Sequence, residues 1–280
     1  MCKPLFEHIP EVEQRIIQTP HLLLCLDYDG TLTHFTATPL ETHLSPQMER
    51  VLQSLSEYEA TTLAIISGRD RADLHDRVGI PGAVYGGNHG LEISGPGFMF
   101  IDPTAASYVS ALQELSEQLA SRFQSSPGAL VEFKGLTISV HYRQVASAQW
   151  DEVRRLVHAA LASTTNPFVL TAGDKVFEIR PRVYWNKGSA VAWIKERLGK
   201  PDILTVYIGD DATDEDAFTA LPHDITIKVG DAGETAAHYL LSGPWEVRRF
   251  LEWLNELLRH KTSQQSMATD KPTATGASRS

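Results

Sequence analysis

Apolar residues along this chain gather in short runs that stop at small or acidic residues. Residues 22–26 end at Asp27, 62–66 at Ser67, 205–208 at Gly209 and Asp210, and 225–229 at Gly230 and Asp231. Runs this short and this continuously apolar predict strands buried on both faces, as in a parallel sheet. Helical spacing lies between them. Ser45-Pro46 pairs an N-cap with proline at the first helical position, opening a helix to about Tyr58. A short helix is predicted at 70–78. Ala190, Val191, Ile194 and Leu198 share one side of a helix at 187–198 that Gly199 stops. Ser242-Gly243-Pro244 opens a last helix with Val247, Phe250, Leu251, Leu254, Leu257 and Leu258 on one side. Strand–helix alternation of this kind predicts an open α/β sheet.

The middle of the chain follows another pattern. Amphipathic helices are predicted near 105–123 and 148–163, with strands at 130–133, 136–142, 168–171 and 175–179. Lys134-Gly135 and Gly173-Asp174 supply hairpin turns. The expected organisation is a core from 1–102 and 182–260, an α+β module inserted at 103–181, and a tail at 261–280. That tail is rich in Ser, Thr, Ala and Gln, with little to bury, and is expected to be disordered. No internal repeat is visible.

Composition narrows the function classes. Of 280 residues, 42% are hydrophobic and 21% charged, as in a soluble globular chain. Against 25 Lys and Arg stand 35 Asp and Glu, a net charge of -10 that disfavours nucleic acid and anionic membranes as partners but leaves room for a local cationic pocket. Cys2 and Cys25 are too few for a disulfide framework or a multi-cysteine zinc site, and suit a reducing cytosol. No run approaches the roughly 18 apolar residues of a membrane span. The first residues carry Glu7, Glu11 and Glu13 and lack a signal-peptide core. A cytoplasmic monomer acting on a small molecule is the expectation.

Sites in open α/β sheets form at the carboxyl ends of strands, where strand order reverses. The strand ends here deliver Asp27, Ser67, Asp210 and Asp231. In Asp27-Tyr28-Asp29-Gly30-Thr31, two acids one residue apart can both reach the sheet edge, and Gly30 permits a tight turn; each Asp could also be a simple turn acceptor. Ser67-Gly68-Arg69 offers a hydroxyl and free N–H groups to an anion, though an N-cap serine reads the same way. Lys187 opens a helix and could neutralise a phosphate or remain in solvent. In the segment from Asp210 to Asp216, a cap at Thr213 with acids decorating the first helical turn accounts for Glu215 and Asp216. It does not account for Asp210 and Asp211, whose adjacent carboxylates at a buried strand end call for a cation. Oxygen donors of this kind suit Mg²⁺. A calcium EF-hand loop fails, because the twelfth residue from Asp210 is Leu221 and the sixth is not glycine. Taken together, these are the parts for phosphoryl transfer through an aspartyl phosphate, with a divalent cation required to bring an anionic ester among carboxylates.

With these motifs in order, the chain resembles the haloacid dehalogenase superfamily, and within it the trehalose-6-phosphate phosphatases. The resemblance runs over about 20–255. It includes Gly87-Asn88-His89-Gly90-Leu91-Glu92, His141-Tyr142-Arg143, Val176-Phe177-Glu178-Ile179-Arg180-Pro181, Trp185-Asn186-Lys187-Gly188, and the block from Tyr207 through Phe218. The resemblance implies a Rossmann-like parallel-sheet core with the inserted α+β module as a cap. It implies Asp27 as nucleophile and Asp29 as general acid and base. Mg²⁺ would be held by Asp27, the Asp29 carbonyl and Asp210, with Asp214 and Asp211 in support, and the phosphoryl group by Ser67 and Lys187 with help from Thr31. Glu132, Lys134, Arg143 and Glu178 would face the sugar from the cap, and Arg69 and His89 from the core. Gly86-Gly87 and Asn88, before His89, depart from the commonest family wording. With no glycosyltransferase-like region in the sequence, a stand-alone enzyme is expected.

The implied reaction is Mg²⁺-dependent hydrolysis of trehalose 6-phosphate. A phosphatase of sucrose phosphate or of a glycosyl phosphoglycerate is the alternative within the superfamily. A phosphoacceptor receiver module is the alternative from another class; it has no need of Asp29 or of an inserted cap. A non-catalytic sugar-phosphate sensor would leave Asp29 without a task.

Overall fold

The computed structural model describes residues 2–34, 42–231 and 233–269. In chain order the first part of the core holds β1 (Lys3–Pro4), α1 (Ile9–Gln18), β2 (His21–Leu26), α2 (Pro46–Ser56), β3 (Thr61–Ile66), α3 (Arg71–Val78), β4 (Val84–Gly87), β5 (Glu92–Gly95) and β6 (Phe98–Ile101). The inserted segment follows as α4 (Pro103–Ala106), α5 (Val109–Arg122), β7 (Leu130–Phe133), β8 (Ile138–His141), α6 (Trp150–Ala162), β9 (Phe168–Gly173) and β10 (Val176–Pro181). The chain then returns to the core with α7 (Lys187–Leu198), β11 (Ile203–Gly209), α8 (Asp214–Ala220), β12 (Ile225–Val229), β13 (Tyr239–Leu241) and α9 (Pro244–Thr269).

The core sheet has the order β1-β13-β12-β11-β2-β3-β4-β5-β6. Pairing is parallel from β1 to β4 and antiparallel from β4 to β6. From β2 the chain steps outward through β3 to β4, and after the insertion it comes back to β11 on the other side of β2. The strand order therefore reverses between β2 and β11, the place where such sheets open a crevice at their carboxyl ends. Every residue of β2 is buried. Leu22, Leu24 and Leu26 pack on one face beneath residues of α1, α2, α3 and α9, and Leu23 and Cys25 pack on the other beneath α7 and α8. That two-sided burial is why the run is apolar at every position rather than alternate ones.

The cap sheet has the order β7-β8-β10-β9 and is antiparallel throughout. In register, Glu132 pairs with Ser139, Ser139 with Glu178, and Glu178 with Thr171. One face thus carries polar residues. The other carries Val140, Ile138, Phe177 and Ile179, which pack on Leu112, Leu115, Leu119, Val153 and Val157 of α5 and α6.

Some expectations are corrected. The helix expected at 105–123 is divided into α4 and α5, because Asp102 caps a separate turn that buries Ala105 against Leu91 and Leu136. The strands β5 and β6 and the helix α1 were not foreseen. The chain from 261 does not begin a disordered tail: α9 continues to Thr269. Lys261 Nζ donates to the carbonyls of Ile16 (3.1 Å) and Thr19 (2.6 Å), tying the helix back to α1. The rest of the expected tail, 270–280, lies outside the described residues. No helix among the described residues is long and apolar enough to cross a membrane.

Candidate active site

Asp27 stands at the carboxyl end of β2, 5% exposed, with its N–H bonded to the Ile208 carbonyl. The chain then turns through Gly30 at φ +85°, in the left-handed region that glycine tolerates. A side chain there would run into the Asp210 carboxylate. Thr31 Oγ1 donates to Asp210 Oδ1 at 3.2 Å, so the loop after β2 and the loop after β11 are packed together. Ser67 follows β3, buried, with its Oγ accepting from the Arg69 N–H. It is not the cap of α3, because Asp70 does that work. Asp231 is exposed and stands outside the cluster.

Lys187 is no solvated lysine. Asn186 caps α7, its Oδ1 accepting from the Ser189 N–H at 2.9 Å, and this fixes Lys187 at the first helical position, 1% exposed. Its ammonium donates at 2.7 Å to Asp27 Oδ1 and at 2.7 Å to Asp214 Oδ1. Burial works to lower the lysine pKa, but Asp214 and Asp27 outweigh it and keep the group charged. Asp214 is completely enclosed. Its Oδ1 also accepts from the Tyr207 hydroxyl, and its Oδ2 from the N–H groups of Asp210 and Asp211. Asp211 Oδ1 accepts from Thr213 N–H and Oγ1 and from the Asp214 N–H, and lies 4.0 Å from the Lys187 ammonium. Asp211, rather than Thr213, therefore caps α8.

Asp27, Asp210 and Asp214 each offer an oxygen within 4.8 Å of the others. Burial pushes Asp27 well above the usual carboxylate range; Lys187 works against the rise, and Asp214, Asp210 and Asp211 add to it. Asp210 is pushed up to about 7, by burial first and then by Asp214 and Asp211. One ammonium does not balance this charge. Among the described residues no hydrogen bond reaches Asp27 Oδ2 or Asp210 Oδ2, whereas both oxygens of Asp214 are taken. The donor set fits a hard cation, with Asp27 and Asp210 as the open carboxylates and Asp214 as the group that orders lysine, loop and acids around it.

Asp29 does not point at that cluster as a carboxylate donor. Arg69 grips it with two bonds, Nε to Oδ2 at 2.7 Å and Nη2 to Oδ1 at 2.8 Å. The same guanidinium reaches Asp73 and Thr42. Arg69, expected to face the sugar, holds Asp29 in the planar two-point geometry that suits arginine.

On the cap, Lys134 and Glu178 meet the core directly. Lys134 Nζ donates to the Gly68 carbonyl at 2.6 Å and to Glu178 Oε1 at 2.7 Å; Glu178 Oε2 lies 2.6 Å from His89 Nε2. Burial alone would raise the Glu178 pKa, but His89 and Lys134 reverse the sign and hold it well below the usual range. Glu132 bonds to His141 on the same face at 2.9 Å. Arg143 lies apart, just beyond β8 at the end away from Lys134, half-exposed and paired with Asp174. A cavity of about 460 Å³ opens beside His89, lined also by Arg180, Trp185, Asn186 and Asp216. It flanks the acidic cluster rather than covering it, since Asp27 is not in its wall.

Sequence reasoning passed over Asp73 and Thr137, and gave no role to Tyr207, Asn88 and His141 although they lie in the motifs it singled out. Tyr207 had a usable signal, since a tyrosine inside a fully buried strand needs a partner for its hydroxyl. The others depend on which loops meet.

A family model described as Trehalose-phosphatase matches residues 25–238. A trehalose-phosphate phosphatase of Mycobacterium tuberculosis is 36% identical over 242 residues, 83% of this chain and 61% of that protein. A probable trehalose-phosphate phosphatase 4 of Oryza sativa subsp. japonica is 35% identical over 256 residues, 88% of this chain and 69% of that protein. The chain thus spans about 61% of the length of the mycobacterial relative. In fold, it is similar to the C-terminal domain of Candida albicans trehalose-6-phosphate phosphatase, with a TM-score of 0.76, 23% identity, and coverage of 91% of this chain and 98% of that one.

Proposed function

The chain belongs to the trehalose-phosphatase family, and from that premise we propose that it hydrolyses trehalose 6-phosphate to trehalose and phosphate through a phosphorylated Asp27. The observation that carries this reading is the pairing of two aspartates with different partners: Asp27 is buried against Lys187, and Asp29, two residues on, is held by Arg69.

Asp27 Oδ2 attacks phosphorus in line while the bond to the sugar oxygen breaks, and Asp29 delivers a proton to that leaving oxygen. That proton enters Asp29 from solvent before the step, and water returns one to it in the second step, so Asp29 ends as it began. In the second step Asp29 takes a proton from water as the water attacks phosphorus, and the bond to Asp27 breaks. Lys187 and Ser67 hold phosphoryl oxygens. Mg²⁺ held by Asp27, Asp210 and the Asp29 carbonyl would offset the negative charge that gathers there. Glu132, Lys134, Glu178 and His89 would bond the hydroxyls of the first ring, and Arg143 would serve the second. A receiver module makes no use of this polar cap face.

Phosphate release measured with Mg²⁺ over trehalose 6-phosphate, sucrose 6-phosphate, a glucosyl phosphoglycerate and glucose 6-phosphate tests the substrate. Trehalose 6-phosphate is expected to rank first by kcat/KM, with activity lost in excess EDTA and restored by added Mg²⁺. A higher rank for another sugar phosphate overturns the substrate, and full activity in EDTA overturns the cation.

A further inference from the structure

The turn after β4 is strained and central. Asn88 and His89 both lie in the left-handed region, at φ 50° and 59°, which non-glycine residues rarely enter, and Asn88 is 0% exposed. The Asn88 side chain uses all its nearby partners. Nδ2 donates to Glu92 Oε1 at 2.7 Å and to the Lys134 carbonyl at 2.9 Å, and Oδ1 accepts from Thr137 Oγ1 at 2.6 Å. Its backbone faces the other way: Asn88 N–H donates to the Arg69 carbonyl at 2.6 Å, and His89 N–H to the Ser67 carbonyl at 2.8 Å. One residue therefore holds the tip of the β7–β8 hairpin with its side chain and the Ser67–Arg69 loop with its main chain. Lys134 Nζ, bonded to the Gly68 carbonyl, closes the ring. The tip is also seated by packing, with Leu136 buried against Leu91 and Ala105 in a small cluster of its own. Thr137 is 0% exposed. Neither Asn88 nor Thr137 hydrogen-bonds to Asp27, Asp29 or Lys187.

We propose that Asn88 and Thr137 are positioning residues that form a joint between cap and core. The joint sets Lys134, and through His89 also Glu178, beside the phosphate-holding loop, so that a sugar is read in register with the ester it carries. The substrate named in the test rests on the reading above; the joint does not.

The test uses the full chain with Thr137→Val, Asn88→Gly and Thr137→Ser. Glycine keeps the left-handed turn while removing the side chain. Two readouts are taken: kcat/KM for trehalose 6-phosphate and for p-nitrophenyl phosphate, and amide hydrogen exchange across 130–141. Thr137→Val and Asn88→Gly are expected to lower kcat/KM for the disaccharide ester about tenfold, the size of one buried hydrogen bond. The aryl ester, which lacks hydroxyls to read, is expected to change by less than about twofold. Exchange at the hairpin tip speeds up while β2 is unchanged, and Thr137→Ser restores both readouts. Equal losses on the two esters, or no loss and no change in exchange in Thr137→Val, overturn the joint. Thr137→Val decides alone if Asn88→Gly does not fold. Faster exchange at the tip in a protein whose wild type ignores trehalose 6-phosphate supports the joint and overturns the substrate reading instead.

Discussion

The two sheets of this molecule offer chemistry in opposite ways. The core sheet is buried on both faces, so its strands can present functional groups only where they end; Asp27, Ser67 and Asp210 all follow the last residue of a strand. The cap sheet packs helices on one face only, so alternate residues along its strands remain available, and Glu132, Ser139, His141 and Glu178 share the open face. A sheet end concentrates a few groups at one point, which suits attack on a phosphorus atom. A sheet face spreads groups over several ångströms, which suits the hydroxyls of a sugar. The charge balance follows the same division. The core site crowds Asp27, Asp210 and Asp214 around one lysine and leaves a deficit of positive charge. On the open face of the cap sheet, Glu178 is paired with Lys134 and His89, and Glu132 with His141.

This contrast is broken most severely at the strand ends. Asp27→Asn removes the attacking oxygen and is expected to cost about 10⁴-fold or more in kcat on every ester, sugar or aryl, in a steady-state assay. Asp29→Asn is expected to slow both chemical steps by about 10²- to 10⁴-fold, again without regard to the alcohol, because general acid–base help is worth that much. A variant at either position that spared aryl esters would contradict the division of labour between end and face.

Substitution on the cap face sharpens the comparison. Glu178→Gln keeps the shape and removes the charge that Lys134 and His89 meet. Its expected effect is a loss of about 10- to 100-fold in kcat/KM for trehalose 6-phosphate, the range for a charged hydrogen bond, with p-nitrophenyl phosphate little changed. Equal losses would place Glu178 in the chemistry rather than in recognition.

The smallest expected effect concerns pH. The Glu178 carboxyl is held below its ordinary value of 4.5 in the folded chain. A depressed carboxylate contributes stability above its unfolded value and loses it as pH falls toward the folded one. Wild type is therefore expected to exceed Glu178→Gln in Tm near pH 7, by an amount set by about 1–3 kcal/mol, and the gap is expected to narrow below about pH 4.5. A gap that widened in acid would reverse the sign assigned to the His89 and Lys134 pairs.

By itself the sequence determined the layered α/β core, the inserted α+β segment, the loops that carry Asp27, Ser67 and Asp210, and the helix that Lys187 opens. Those features are written in local pattern: continuous apolar runs, helical spacing, and caps such as Ser45 and Asn186. Tertiary structure alone decided which polar groups meet. It gave Arg69 to Asp29, enclosed Asp214 with Tyr207 and Lys187, and placed Asn88 between Thr137 and the Ser67 loop. It also carried α9 past 260, through the anchoring of Lys261 to the end of α1. The reason is range. Burial periodicity repeats within a few residues and leaves a trace in any short window, whereas an ion pair between residues 40 or 160 apart leaves none until the chain has closed on itself.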